Sequence, residues 1–128
     1  MLKYTILLLM LLFTMLILIL VKPAHAWDEW SKESYISFGA MIFFSTLDTM
    51  QTIEIAKNPD KYWEANKMMG PHPSVERVVL FMVGAKLVIY GVSFLLPDKW
   101  RIILFSTQAG ASAACVWLNN ASGIQIKF

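Results

Sequence analysis

The chain has 128 residues, enough for one domain, and 57% of them are hydrophobic while only 16% are charged, against about 25% charged in soluble domains. That composition excludes a disordered chain and argues against a soluble enzyme with an ordinary polar shell. The net charge of +2 gathers into no basic block, so nucleic acid is not an expected partner.

The first element is an address. Residues 5 to 21, TILLLMLLFTMLILILV, carry no charge and follow Lys3; Lys22-Pro23 and the small-x-small run Ala24-His25-Ala26 come next. A basic start, an apolar stretch and a small-residue end predict a signal peptide over residues 1–26, cleaved after Ala26. The apolar stretch exceeds the usual core of about 7 to 15 residues and just reaches bilayer-spanning length, so an uncleaved anchor helix is the alternative. In both cases residue 27 emerges on the outer side of the membrane. Cleavage removes Lys3 and Lys22, which takes the 11 basic residues to 9, equal to the 9 acidic ones.

Residues 27–128 hold three more apolar stretches: about Tyr35 to Ile55, Val78 to Leu96, and Ile102 to Leu118 running on through Asn119 and Asn120. Each is long enough to cross about 30 Å of hydrocarbon as a helix. The predicted fold is an all-α membrane protein, with the signal or anchor segment followed by a three-helix transmembrane bundle. With Trp27 outside, the 57–77 loop lies inside with Lys57, Lys61, Lys67 and Arg77, and Lys127 joins them. Lys32, Lys99 and Arg101 fall outside. This basic excess inside predicts a multi-pass protein of the bacterial inner membrane, mature N-terminus out and C-terminus in. Trp27, Trp30, Trp63, Trp100 and Trp117 all fall near predicted membrane borders, where indole rings prefer to sit. Within the inner loop, Asn58-Pro59-Asp60 reads as a helix start, which predicts a short interfacial helix to about Met68, ending at Gly70-Pro71. Ser74 caps the next spanning helix, with Glu76 in its first turn.

Polar residues recur at one depth. Asp48 stands nine residues before Lys57, and Lys86 nine beyond Arg77, so each lies about 13 Å from the inner border at 1.5 Å per residue. Opposite charges at matched depth on adjacent antiparallel helices predict an Asp48–Lys86 ion pair. Helical spacing extends the pattern: Ser45, Asp48 and Thr52 share a face beside Gln51; Lys86, Tyr90 and Ser93 share another; Gln108, Ser112, Cys115 and Asn119 share a third. The predicted intramembrane polar cluster is Asp48, Gln51, Thr52, Lys86, Gln108 and Asn119. Such groups either fix helix register and partner choice or mark a functional site.

The second candidate constellation sits at the inner face: Glu64, Asn66, His72, Ser74 and Arg77, with Asp48, Gln51 and Thr52 above. Carboxylates plus one imidazole suit a divalent cation or acid–base work, yet a loop residue is the plainer reading of His72, which lies between two prolines. No cofactor is predicted beyond that cation, and no metal site is assigned. The lone Cys115 has no internal disulfide partner, and no Cys/His pair has zinc spacing. There is no phosphate-binding glycine loop, nucleophile elbow or H-E-x-x-H stretch.

Asp48-Thr49-Met50-Gln51-Thr52, then Tyr62-Trp63-Glu64-Ala65-Asn66, then Gly70-Pro71-His72-Pro73-Ser74 occur in that order. They resemble the D-x-x-Q-T, E-x-N-P and G-x-H-P-S stretches of a family of small uncharacterised bacterial membrane proteins. The resemblance covers about residues 45 to 96 and implies no particular activity. Lys67 stands where that family tends to have proline, so a stiffened loop after Asn66 is not expected here. The resemblance implies that the loop folds back under the bundle, so that Glu64 and Asn66 meet Gln51 and Thr52 or pair with Arg77.

The leading functional expectation is a small polytopic inner-membrane protein of assembly or accessory type, with the lipid bilayer and another membrane protein or itself as partners. The alternative is a small membrane enzyme or metal- or ion-handling protein using Asp48, Glu64 and His72. A holin-like pore ranks last, because the tail 124–128 carries a single charge.

Overall fold

The computed structural model describes residues 29–126. The predicted signal or anchor segment at 1–26 and Lys127 lie outside the described residues. Three helices follow in order, α1 (Lys32–Lys57), α2 (Val75–Ser93) and α3 (Asp98–Ala121), and the described residues contain no strand.

Local chemistry sets the helix ends. The Ser31 hydroxyl accepts from the Ser34 N–H at 3.1 Å, which starts α1 before its apolar stretch does. Glu33 in the first turn and Lys57 in the last both suit the helix dipole. Ser74 caps α2 as expected, its hydroxyl accepting from the Arg77 N–H at 3.2 Å. Before Pro97 the backbone disfavours helix. So α2 gives way to turns after Ser93, short of the expected Leu96, and α3 starts at Asp98 directly after the proline.

Packing is uneven. α1 lies against α3 over its length, against α2 more loosely, and α2 touches α3 least. Near the 30–38 end, Met41, Phe105 and Ala109 form one core, with Trp30, Phe38 and Ile89 around it. Near the opposite end, Met69, Val78 and Met82 form a second, packed by Ile53, Ala56 and Phe81. Among the described residues α3 alone is long and apolar enough, by length and composition, to cross a membrane. α2 carries Glu76, Arg77 and Lys86 in its 19 residues, and α1 carries Asp48 and Glu54. Large apolar side chains stay exposed on all three helices, among them Phe43, Leu80, Leu87, Ile103 and Trp117.

The expected interfacial helix is absent: residues 58–74 form turns and extended backbone. Asn58 closes α1 instead of opening a new helix, its side-chain amide donating to the Glu54 carbonyl at 2.8 Å. One turn follows, with the Tyr62 N–H on the Asn58 carbonyl, and then the chain folds back so that the Glu64 N–H meets the Pro71 carbonyl at 2.8 Å. Gly70 makes the return with φ of 86°, a conformation that costs an L-residue about 1–2 kcal/mol. Gly70→Ala is therefore expected to lower stability by about 1 kcal/mol. Thermal unfolding followed by circular dichroism checks it, and an unchanged midpoint would contradict it.

Candidate functional site

Two polar seams join α1 to α3. In the first, Gln51, only 1% exposed, donates through Nε2 to Asn120 Oδ1 at 2.9 Å and to the Val116 carbonyl at 3.4 Å, while its Oε1 accepts from Asn119 Nδ2 at 3.1 Å. Two turns away along the same seam, the Ser45 and Ser112 hydroxyls lie 3.4 Å apart. Of the residues expected to cluster inside the membrane, the fold thus brings Gln51 to Asn119 and adds Asn120. Thr52 is buried and spends its hydroxyl proton on the Asp48 carbonyl at 2.9 Å. Gln108 is half-buried on α3 and takes no part in this network.

The expected Asp48–Lys86 ion pair is not made. Among the described residues the ion pairs are Lys57–Glu54 and Arg101–Asp98. Lys86 lines a groove between α1 and α2, and Asp48 is not among the residues that line it. Lys86 and Glu64 still act on the Asp48 carboxyl through space. Matched depth did not guarantee matched direction around the helix axis.

The second seam was not anticipated, and it is the more elaborate. Arg101 is fully buried, although its charge had suggested a membrane border. Its guanidinium donates to Asp98 Oδ1 at 3.0 Å, to the Ser93 carbonyl at 3.1 Å and to the Leu96 carbonyl at 3.0 Å. The Trp30 ring lies 5.0 Å away against its face, within cation–π range. Asp98 Oδ1 also accepts from the Ser34 hydroxyl at 2.5 Å and the Ser31 N–H at 3.2 Å. Phe38, Phe94 and Phe105 surround Trp30 at 5.5–5.8 Å between ring centres. The result ties the start of α1 to the α2–α3 turn.

Asp98 stands ahead of the apolar stretch of α3, which begins at Ile102. Hydrogen bonding by the Ser31 and Ser34 side chains, helped by the Ser31 N–H and the Arg101 charge, outweighs desolvation and lowers the Asp98 pKa to about 2. A carboxyl depressed in the folded state adds stability above its unfolded pKa, near 4, and loses it as pH falls towards 2. Unfolding midpoints of the protein and of Asp98→Asn are thus expected to converge between pH 4 and pH 2. Tryptophan fluorescence in detergent at stepped pH reads this, and parallel curves would refute it.

The inner-loop residues form a turn, not a shared centre. Glu64 Oε1 accepts from the Asn66 N–H at 2.8 Å, and Asn66 Oδ1 accepts from the Met68 N–H at 3.0 Å. Arg77 donates to the Met68 carbonyl at 3.2 Å. The bonds of Glu64 and Asn66 are therefore local, and neither is bonded to Gln51 or Thr52. His72 is exposed on the loop. Among the described residues, no three of His, Cys, Asp and Glu gather closely enough to hold a metal ion.

No family model, curated protein or solved structure matches the chain. Its best-formed polar groups bond to one another across α1 and α3, and large apolar side chains remain exposed on the outer faces of the helices.

Proposed function

We propose that this chain is a small polytopic inner-membrane protein of assembly or accessory type. In this reading all three helices cross the bilayer, with the start of α1 outside and the 58–74 loop inside. The Lys57, Lys61, Lys67 and Arg77 charges at the loop end support that orientation.

The observation that carries the reading is how the polar groups are spent. Gln51 bonds to Asn119 and Asn120, and Asp98 bonds to Arg101 and Ser34, so these groups specify how the helices dock. The surface left over is apolar, with Leu80 70% and Trp117 69% exposed, which suits lipid and neighbouring helices. Chemical crosslinking in native membranes tests it. Reproducible recovery of one stoichiometric neighbouring membrane protein is the expected result, and recovery of the chain alone would overturn it.

A further inference from the structure

Between α1 and α2 runs an open groove of about 400 Å³, walled by Phe38, Met41, Ile42, Val83 and Leu87. Its polar lining is unequal. Thr46 and Thr49 give their hydroxyl protons to their own helix, at the Ile42 and Ser45 carbonyls. Ser45 is engaged with Ser112. Two donors are left, the Lys86 ammonium and the Tyr90 hydroxyl, one helical turn apart on α2. Among the described residues neither bonds to a protein acceptor. An apolar groove presenting an ammonium and a hydroxyl complements an acid carried on an apolar body.

Depth decides what kind of body. Lys86 lies about 16 Å from the start of α2 and about 10 Å from its end at 1.5 Å per residue. Lipid headgroups gather at the ends of a spanning helix, not at that depth. Asp48 of α1 acts on Lys86 through space but does not line the groove or bond to it. The position of a direct acceptor is thus left to a further helix, and intramembrane charges are typically paired with one another.

We infer that the α1–α2 groove receives an apolar transmembrane helix of a partner protein, whose aspartate or glutamate bonds to Lys86 and Tyr90. This rests on the membrane-accessory reading above and names the chemistry of the partner. Leu87 lies on the groove and is 56% exposed, whereas Trp117 stands exposed on α3 and does not line it.

The test is a photoreactive phenylalanine at position 87 of the full chain in native membranes, with the same probe at 117 for comparison. The expected result is a protein adduct at 87 whose crosslinked spanning segment contains Asp or Glu. It drops at least about tenfold in Lys86→Gln, persists in Lys86→Arg, and returns when Lys86→Glu is combined with lysine at the partner's acid. An adduct insensitive to Lys86→Gln overturns the inference, as does an adduct only with lipid, with a second copy, or with residues 5–21. If Lys86→Gln fails to accumulate, the partner's acid-to-amide variant is read against the unaltered chain with the same two outcomes. Loss of the groove adduct alone, with a neighbour still captured at 117, sinks this inference and leaves the accessory reading standing. No protein adduct at either position sinks both.

Discussion

Replacing Arg101 with methionine is expected to lower the unfolding free energy by about 2–4 kcal/mol, because it leaves two carbonyls without their donor at about 1–3 kcal/mol each, while the Asp98 side chain, 30% exposed, keeps access to water. Methionine keeps much of the length and apolar stem, so the loss isolates the guanidinium and not the volume. That group is fully buried and makes three hydrogen bonds, to Asp98 and to the Ser93 and Leu96 carbonyls. Removing it strands two carbonyls in the α2–α3 turn and leaves the Asp98 carboxylate without its cation. Arg101→Lys restores the charge but not the planar fork, so it should recover less than half of the loss. Because Trp30 stacks on the guanidinium at 5.0 Å, its fluorescence should change even in the folded variant. Unfolding in mixed detergent followed at 222 nm measures the energy. A loss under about 1 kcal/mol would show that the turn is held by its aromatic packing instead.

The three helices were legible because apolar length is a strong signal, and the ends were legible where a single side chain decides them, as Ser74 does for α2. Spacing also places Gln51 and Asn119 among the polar residues expected to turn inward, since such residues on long apolar helices have few other places to go, but it does not pair them with each other. Three features were not readable, each for a physical reason. Asp48 and Lys86 stand at matched positions along their helices, but Asp48 stays out of the α1–α2 groove that Lys86 lines, and sequence spacing gives position along a helix more readily than direction around it. Asn58 has the chemistry of a helix start, yet its amide is used to finish α1. Arg101 looked like a border charge because two of its three acceptors are backbone carbonyls, of Ser93 and Leu96, which residue identity does not announce. Asp98 gathers Ser31 from 67 residues earlier, a contact that no local pattern encodes. The available hint was Asp98 and Arg101 at i, i+3 directly after Pro97, a spacing that pairs charges on one helix face.

The second large effect is expected at Gln51, where single and double substitutions should disagree. Gln51→Leu fits an apolar interface in shape but strips the partners from Asn119 Nδ2 and Asn120 Oδ1. Leaving a fully buried polar group unpaired costs about 1–3 kcal/mol, an upper bound here because Asn119 is half-buried and Asn120 exposed. If α1 and α3 cross a bilayer as proposed, the loss should lie nearer the lower end, because interhelical hydrogen bonds there average about 0.6 and reach about 1.7 kcal/mol. Asn119→Leu alone should cost a comparable amount by orphaning Gln51 Oε1. In the double variant neither of these two groups is left stranded, so the combined loss should fall short of the sum of the two single losses by about 0.5–1.5 kcal/mol. A double-mutant cycle on unfolding free energies reads that coupling directly. Strict additivity would mean that lipid or water already satisfies these amides. The seam would then no longer be what docks α3 on α1, and Gln51 would become free to serve a ligand instead of the fold.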